Sequence, residues 1–225
     1  MALRVLTWNL FHGRSKPETP GSLLPVFAAA LAGREWEVAL RQEVPPWWPV
    51  ELARAARASM RIALTSRNLL PGAQRLVAER RPALLKSWAG GANAILVRGQ
   101  AIREHRVLRL RLLPERRVAH GVLLEDGIWV TNLHAQAHLE RRAQGDLDRA
   151  AEATTRWAAA APTVLGGDLN LRGTPTAFGY AHLAGHVVDH VLGRGLTVVE
   201  RGRTLPHGAL SDHAPLTLVV APGRE

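Results

Sequence analysis

Short apolar runs, some alternating and some continuous, recur along the chain between Pro, Gly and charged residues. Residues 3–10 alternate and are rich in β-formers, which predicts a strand. After a loop at 17–22 the pattern predicts a short helix over 23–31 and a second strand over 36–44. That strand ends at Gln42-Glu43 and is closed by Pro45-Pro46. A helix over 47–60 and a strand over 61–65 follow. The stretch 66–91 is the least regular, punctuated by Pro71-Gly72, Pro82 and Gly90-Gly91. Beyond it, 93–98, 107–112, 118–124 and 128–133 read as strands, with a turn at Gly127. Leu139, Ala143, Leu147, Ala150, Thr154 and Trp157 recur at helical spacing, so 138–160 is the clearest helix, and Pro162 stops it. Strands at 163–165, 187–192, 197–200 and 215–220 and a short helix at 175–183 complete the reading. Many strands with helices between groups of them predict a mixed, largely antiparallel α/β fold. No repeat or low-complexity linker divides the chain, and apolar content is spread along it, so residues 1–225 are expected to form one domain.

Composition narrows the chemistry. Of 225 residues, 47% are hydrophobic, enough for a core without staples. The absence of cysteine excludes disulfides, cysteine nucleophiles, thiolate zinc sites and iron–sulfur clusters. It also suits a reducing compartment, so a cytoplasmic location is the expectation. The opening residues carry no signal-peptide pattern, and no run approaches the ~18 apolar residues of a membrane span.

Charge is regional. The chain carries +10 overall, and its 29 basic residues are 27 Arg plus Lys16 and Lys86. Residues 54–117 hold fourteen Arg, one Lys and three Glu, a net of +12, against −2 for the remainder. Arg favours bidentate pairing with phosphate or carboxylate, so this segment points to an anionic partner. An Arg-rich, Ala-rich background composition explains the same excess without one.

Polar residues with chemical capacity fall where the predicted strands end: Asn9, Glu43, His134, Asp168, Asn170, Asp189-His190 and Asp212-His213. Strand ends and the loops beyond them are where a rigid scaffold presents functional groups. A carboxylate closing an apolar strand is costly to bury unpaired. Each residue alone also has a structural reading. Asn9 suits a turn, Glu43 a solvated strand end, and Gly167-Asp168-Leu169-Asn170 an Asx turn.

Their order and spacing together resemble the endonuclease/exonuclease/phosphatase superfamily of metal-dependent phosphohydrolases. The matching pieces are Thr7-Trp8-Asn9-Leu10, Gln42-Glu43, the 91–96 segment, Thr131–His134, Gly167-Asp168-Leu169-Asn170, Val188-Asp189-His190 and Ser211-Asp212-His213. The resemblance implies a four-layer α/β/β/α sandwich of two mostly antiparallel sheets, with the active site at one edge. It implies hydrolysis of phosphodiester bonds using Mg²⁺ or Mn²⁺, ions suited to oxygen donors. By the same resemblance Glu43 is the main metal ligand, with Asn9 beside it and Asp212 in support. Asp168 holds the attacking water, Asn170 orients phosphate and water, Asp189 pairs with His213, and His134 serves at the phosphate. Asn93 and Arg98 are expected to contact substrate, and His190 to be peripheral. Phe11 stands where some abasic-site nucleases carry an acidic residue, so no subfamily's specificity carries over.

No Walker-type phosphate loop, G-x-S-x-G elbow or H-E-x-x-H zinc helix is present. The expected substrate is nucleic acid, with Arg67, Arg75, Arg80, Arg81 and Arg98 tracking phosphates and Trp88 a stacking surface or a core residue. A small phosphoester (nucleotide, sugar phosphate or lipid head group) is the second reading, and a non-catalytic binding protein the third.

Overall fold

The computed structural model describes residues 2–65 and 91–223. Along the chain run β1 (Leu3–Asn9), a 3-10 turn (Phe11–Gly13), α1 (Leu24–Ala32), β2 (Val38–Val44), α2 (Trp48–Ala56), β3 (Ser59–Leu64) and β4 (Ala92–Val97). Then come β5 (Ile102–Arg111), β6 (Arg117–Leu124), β7 (Trp129–His134), α3 (Glu140–Ala158), β8 (Thr163–Asp168), β9 (Ala181–His186), β10 (Asp189–Arg194), β11 (Leu196–Thr204) and β12 (Leu216–Pro222). The strands form two six-stranded sheets, ordered β11-β12-β1-β2-β4-β3 and β5-β6-β7-β8-β10-β9. β1 and β2 run parallel, as do β7 and β8, and the remaining neighbours are antiparallel. Parallel neighbours need a crossover, and α1 and α3 supply the two.

Side-chain alternation builds the layers. On β1, Leu3 and Val5 face the other sheet, where they meet Val122, Val130, Val164 and Val191. Leu6 and Trp8 face outward, onto Phe27 and Leu31 of α1 and Leu52 of α2. On the far side, Ala143, Leu147 and Ala150 of α3 cover Leu133, Leu165 and Leu192. The result is the four-layer α/β/β/α sandwich. Among the described residues no helix is long and apolar enough to cross a membrane.

Three expectations change. The helix predicted over 47–60 ends at Ala56, because Arg57 adopts the left-handed conformation (φ 51°) and Ser59 onward pairs with β4. The helix predicted over 175–183 is a turn at Gly179 (φ 77°) followed by β9, whose Leu183 and Ala184 join the inter-sheet core. The strand predicted over 163–165 runs on to Asp168 through Gly166-Gly167. That passage requires glycine: Gly167 has φ 139°, and a Cβ there would overlap the Leu133 carbonyl.

Candidate active site

The inner face of each sheet changes character along its strands. Apolar at one end, it becomes polar toward the C-terminal ends of the two parallel pairs. On β1 the inward series Leu3, Val5 continues to Thr7 and Asn9. On β7 Val130 continues to Asn132 and His134, and on β8 Val164 continues to Asp168. Registers align these ends, with Asn9 opposite Gln42, His134 opposite Asp168, and Asp168 opposite Asp189. Glu43 departs from the alternation. The β2–β4 register shifts between Arg41 and Val44, and Glu43 has φ 50°, so a bulge turns its side chain into the cleft.

A cleft of about 320 Å³ opens at this edge of the sandwich. Glu43, His134, Asp168, Asn170, Asp212 and His213 line it, joined by His12, Arg14, Arg116, Arg117 and His138. His213 Nδ1 lies 2.7 Å from Asp189 Oδ2, and its Nε2 lies 3.8 Å from Asp168 Oδ2 and 3.9 Å from Asp212 Oδ1. Asp168, Asp189 and His213 offer ligand atoms within 4.8 Å of one another, a set able to hold a metal ion. Asn9 Nδ2 donates to Asp168 Oδ2 at 2.9 Å, and the Asn170 N–H donates to Asp168 Oδ1 at 3.1 Å. His134 Nε2 stands 3.5 Å from Asp168 Oδ2 and 3.9 Å from Glu43 Oε1. The Ser211 hydroxyl donates to the Asn9 carbonyl (2.7 Å) and accepts from the His213 N–H (3.1 Å), locking the C-terminal loop to β1.

Burial and mutual charge set the proton inventory. Burial lowers the affinity of His213 for a proton, but the hydrogen bond and charge of Asp189, with Asp168 and Asp212 behind it, raise the imidazole to about 9. Burial, then the charge of Asp189, push Asp168 up to about 7. Burial, reinforced by Arg117, His213 and His12, holds His134 well below the ordinary range, so it stands neutral. One cleft therefore contains a cationic and a neutral histidine beside a carboxyl poised near neutrality.

Two expected substrate contacts lie elsewhere. Arg98 sits past the opposite end of β4, stacks on Trp36 (3.8 Å) and donates to the carbonyls of Ala56 and Arg34 at 2.8 Å, so its guanidinium ties helix ends together. Asn93 is fully buried between the sheets, where its Nδ2 donates to the Val118 carbonyl (3.1 Å). Asn9 also shifts in role. Its oxygen accepts from the Phe11 N–H at 2.9 Å while its amide holds Asp168, so its geometry is that of a clamp on the carboxylate. His190 points to the outer face, within 2.9 Å of the Leu171 carbonyl. Arg67, Arg75, Arg80, Arg81 and Trp88 lie outside the described residues. The sequence reading missed His12, Arg14, Arg116, Arg117 and His138. The first two follow Asn9 by three and five positions, and only their place just beyond that strand end could have flagged them.

The two-sheet sandwich thus carries a carboxylate–imidazole cleft at its strand ends. The Endonuclease/Exonuclease/phosphatase family model matches residues 6–213, and the chain belongs to that family. Among solved structures, it is similar to a functionally unknown conserved protein from Enterococcus faecalis V583 (TM-score 0.75, 16% identity, 98% of this chain and 100% of that one). It is also similar to an endonuclease/exonuclease/phosphatase from Beutenbergia cavernae DSM 12333 (TM-score 0.71, 20% identity, 99% and 72% of the two chains). TDP2 from Caenorhabditis elegans aligns at TM-score 0.68 with 14% identity, over 98% of this chain and 75% of that one. At these identities the likeness speaks to the fold. A search of curated proteins gave no match.

Proposed function

We propose that the chain is a divalent-metal-dependent phosphodiesterase acting on nucleic acid. The observation that carries this is the Asp189–His213–Asp168 constellation, with Glu43 in the same cleft and Arg14, Arg116 and Arg117 on its walls.

The donor set fits a hard divalent ion. Glu43 and Asp212 present carboxylates to the cleft, no thiolate exists in the chain, and such donors suit Mg²⁺ or Mn²⁺. Glu43 and Asp212 would hold it, and when bound it neutralises charge on the phosphoryl oxygens. The chain's own groups supply the rest. Asp168, kept near neutrality by burial and by Asp189, is the base that orients a water and takes its proton. Asn9 and the Asn170 N–H fix its two oxygens. His213, held protonated by Asp189, donates to a non-bridging phosphate oxygen as charge grows there. Neutral His134 offers a hydrogen bond without adding charge. The arginines of the wall receive the flanking phosphates of a polymer.

Turnover on plasmid, single-stranded DNA, RNA and a panel of small phosphoesters, with Mg²⁺ or Mn²⁺, tests the reading. Cleavage of a polynucleotide that is abolished by chelator and by Glu43→Ala is the expected result. Turnover confined to small esters moves the assignment to the second reading, and failure on every ester removes the enzymatic one.

A further inference from the structure

A nitrogen donor stands beside the carboxylate assigned to the metal. His12 Nε2 lies 3.3 Å from Glu43 Oε2, while Glu43 Oε1 faces His134 at 3.9 Å. Both partners hold left-handed backbone, His12 at φ 54° and Glu43 at φ 50°. Non-glycine residues keep that conformation only where their surroundings enforce it, and such positions gather at functional sites. The enforcement is visible. The Leu10 N–H bonds the Gln42 carbonyl (2.9 Å), tying the 3-10 turn to β2 one residue before Glu43. Gly13 packs so closely on the Trp48 ring that a Cβ there would overlap it. Two strained positions, anchored to one another, thus bring an imidazole and a carboxylate together in one cleft.

Their spacing is that of two ligands on one ion. With metal–ligand bonds of about 2.1 Å, adjacent donors are about 3.0 Å apart in an octahedron and about 3.4 Å in a tetrahedron. The observed 3.3 Å falls between the two. Carboxylates alone suit Mg²⁺ and Mn²⁺ alike, whereas an added imidazole tilts a site toward first-row transition ions, of which Mn²⁺ is the weakest binder and Mg²⁺ is not one. We infer that His12 is a metal ligand beside Glu43, making this a mixed imidazole–carboxylate site that prefers a transition ion, with Mn²⁺ as the working probe, over Mg²⁺. The inference rests on the metal-dependent reading proposed above.

Calorimetric titration of the whole chain with Mn²⁺ and, separately, Mg²⁺ tests it on wild type, His12→Asn and His12→Ala. Asn tolerates the left-handed turn, so the first variant keeps the fold, with circular dichroism as the check. Mn²⁺ affinity is expected to fall by roughly 10–100-fold, the range seen when ligand support is lost, with Mg²⁺ affinity changing by less than about threefold. Pulsed electron paramagnetic resonance of the Mn²⁺ form should show ¹⁴N coupling that weakens in both variants. Equal losses for the two ions would make His12 a hydrogen-bonding support of Glu43 and overturn the inference, as would unchanged affinities or unchanged ¹⁴N coupling. Glu43→Gln separates the two levels. Binding that needs Glu43 but ignores His12 sinks only this inference, whereas binding indifferent to Glu43 sinks the metal-dependent reading as well.

Discussion

Two polar networks share the space between the sheets, and they differ in charge and in access. The sealed one runs Thr7–Gln42–Asn132–His120, with half-buried His105 of the edge strand β5 just beyond it. Gln42 Nε2 donates to Thr7 Oγ1 (3.2 Å) and Asn132 Oδ1 (2.7 Å), and Asn132 Nδ2 donates to the carbonyls of Arg41 (2.9 Å) and Ala94 (3.0 Å). His120 ends it, 3.5 Å from Asn132 Nδ2 and 3.3 Å from His105 Nε2, and burial with the neighbouring His105 lowers it to about 3. Every member is neutral at pH 7. The open network begins one residue beyond Gln42 and two beyond Asn132, with Glu43, His134, Asp168, Asp189 and His213. Here the carboxylates of Asp168 and Asp189 repel each other. The same strands therefore carry a network that joins the sheets and, one step further on, a network held in electrostatic tension. The lesson is that buried polarity flags a candidate functional site when like charges are forced together, and reads as structure when neutral groups bridge the sheets.

The largest effect that would sharpen this contrast is on turnover. Asp168→Asn removes the proposed base and relieves its repulsion with Asp189. Phosphodiester turnover should drop by about 10²–10⁴-fold, the typical worth of a positioned base. The melting midpoint should stay within about 4 °C, since the gain offsets one lost acceptor. Stopped-flow or gel assays and a thermal melt read the two quantities. Parallel loss of both would show that Asp168 holds the fold together, and the contrast between the networks would break.

Asn132→Ala should do the reverse. It takes a donor from each of the Arg41 and Ala94 carbonyls and an acceptor from the Gln42 amide, which costs about 2–4 kcal/mol in buried surroundings. Chemical denaturation measures that loss. Turnover of the protein that remains folded should change by less than about threefold, because the side chain touches nothing in the cleft. A large fall in turnover with intact stability would mean that the two networks act as one.

The sequence made the layers legible because alternation survives wherever one strand face meets the core and the other meets a helix, as on β1 and β7. It failed where a turn replaced a period: a left-handed Arg57 ended α2 early, and Gly179 redirected what read as a helix into β9. The candidate site was legible as a set of strand-end residues, in that folding gathers Asn9, Glu43, His134, Asp168, Asn170, Asp189, Asp212 and His213 at one cleft edge. Arg98 was misread because charge alone does not say which carbonyls a guanidinium will reach across sixty residues. His12 was passed over because its contact with Glu43 depends on a backbone conformation that no residue pattern announces.

The smallest effects separate the networks by pH, through two histidines shifted in opposite directions. His120 is lowered to about 3 from an ordinary value near 6.5, so above pH 6.5 it is neutral folded or unfolded and its contribution is whole. As pH falls from 6.5 toward 3 the unfolded chain takes a proton that the folded one refuses, and stability drops by up to about 1.4 kcal/mol per unit. His213 is raised to about 9, so its contribution is whole below 6.5 and fades as pH climbs through 9. Asp168, raised to about 7, opposes the acid trend, because the folded state holds its proton more tightly between pH 3.8 and 7. The measurement is therefore a difference between wild type and variant. Denaturation series across pH 4–10 should show the acid slope flattened in His120→Leu with the alkaline limb left in place, and the alkaline slope flattened in Asp189→Asn, which also steepens the acid limb because Asp168 loses the neighbouring charge that raises it. If either substitution flattened both limbs, the sealed and open networks would be exchanging charge through Gln42 and Asn132, and the boundary drawn between them would fall.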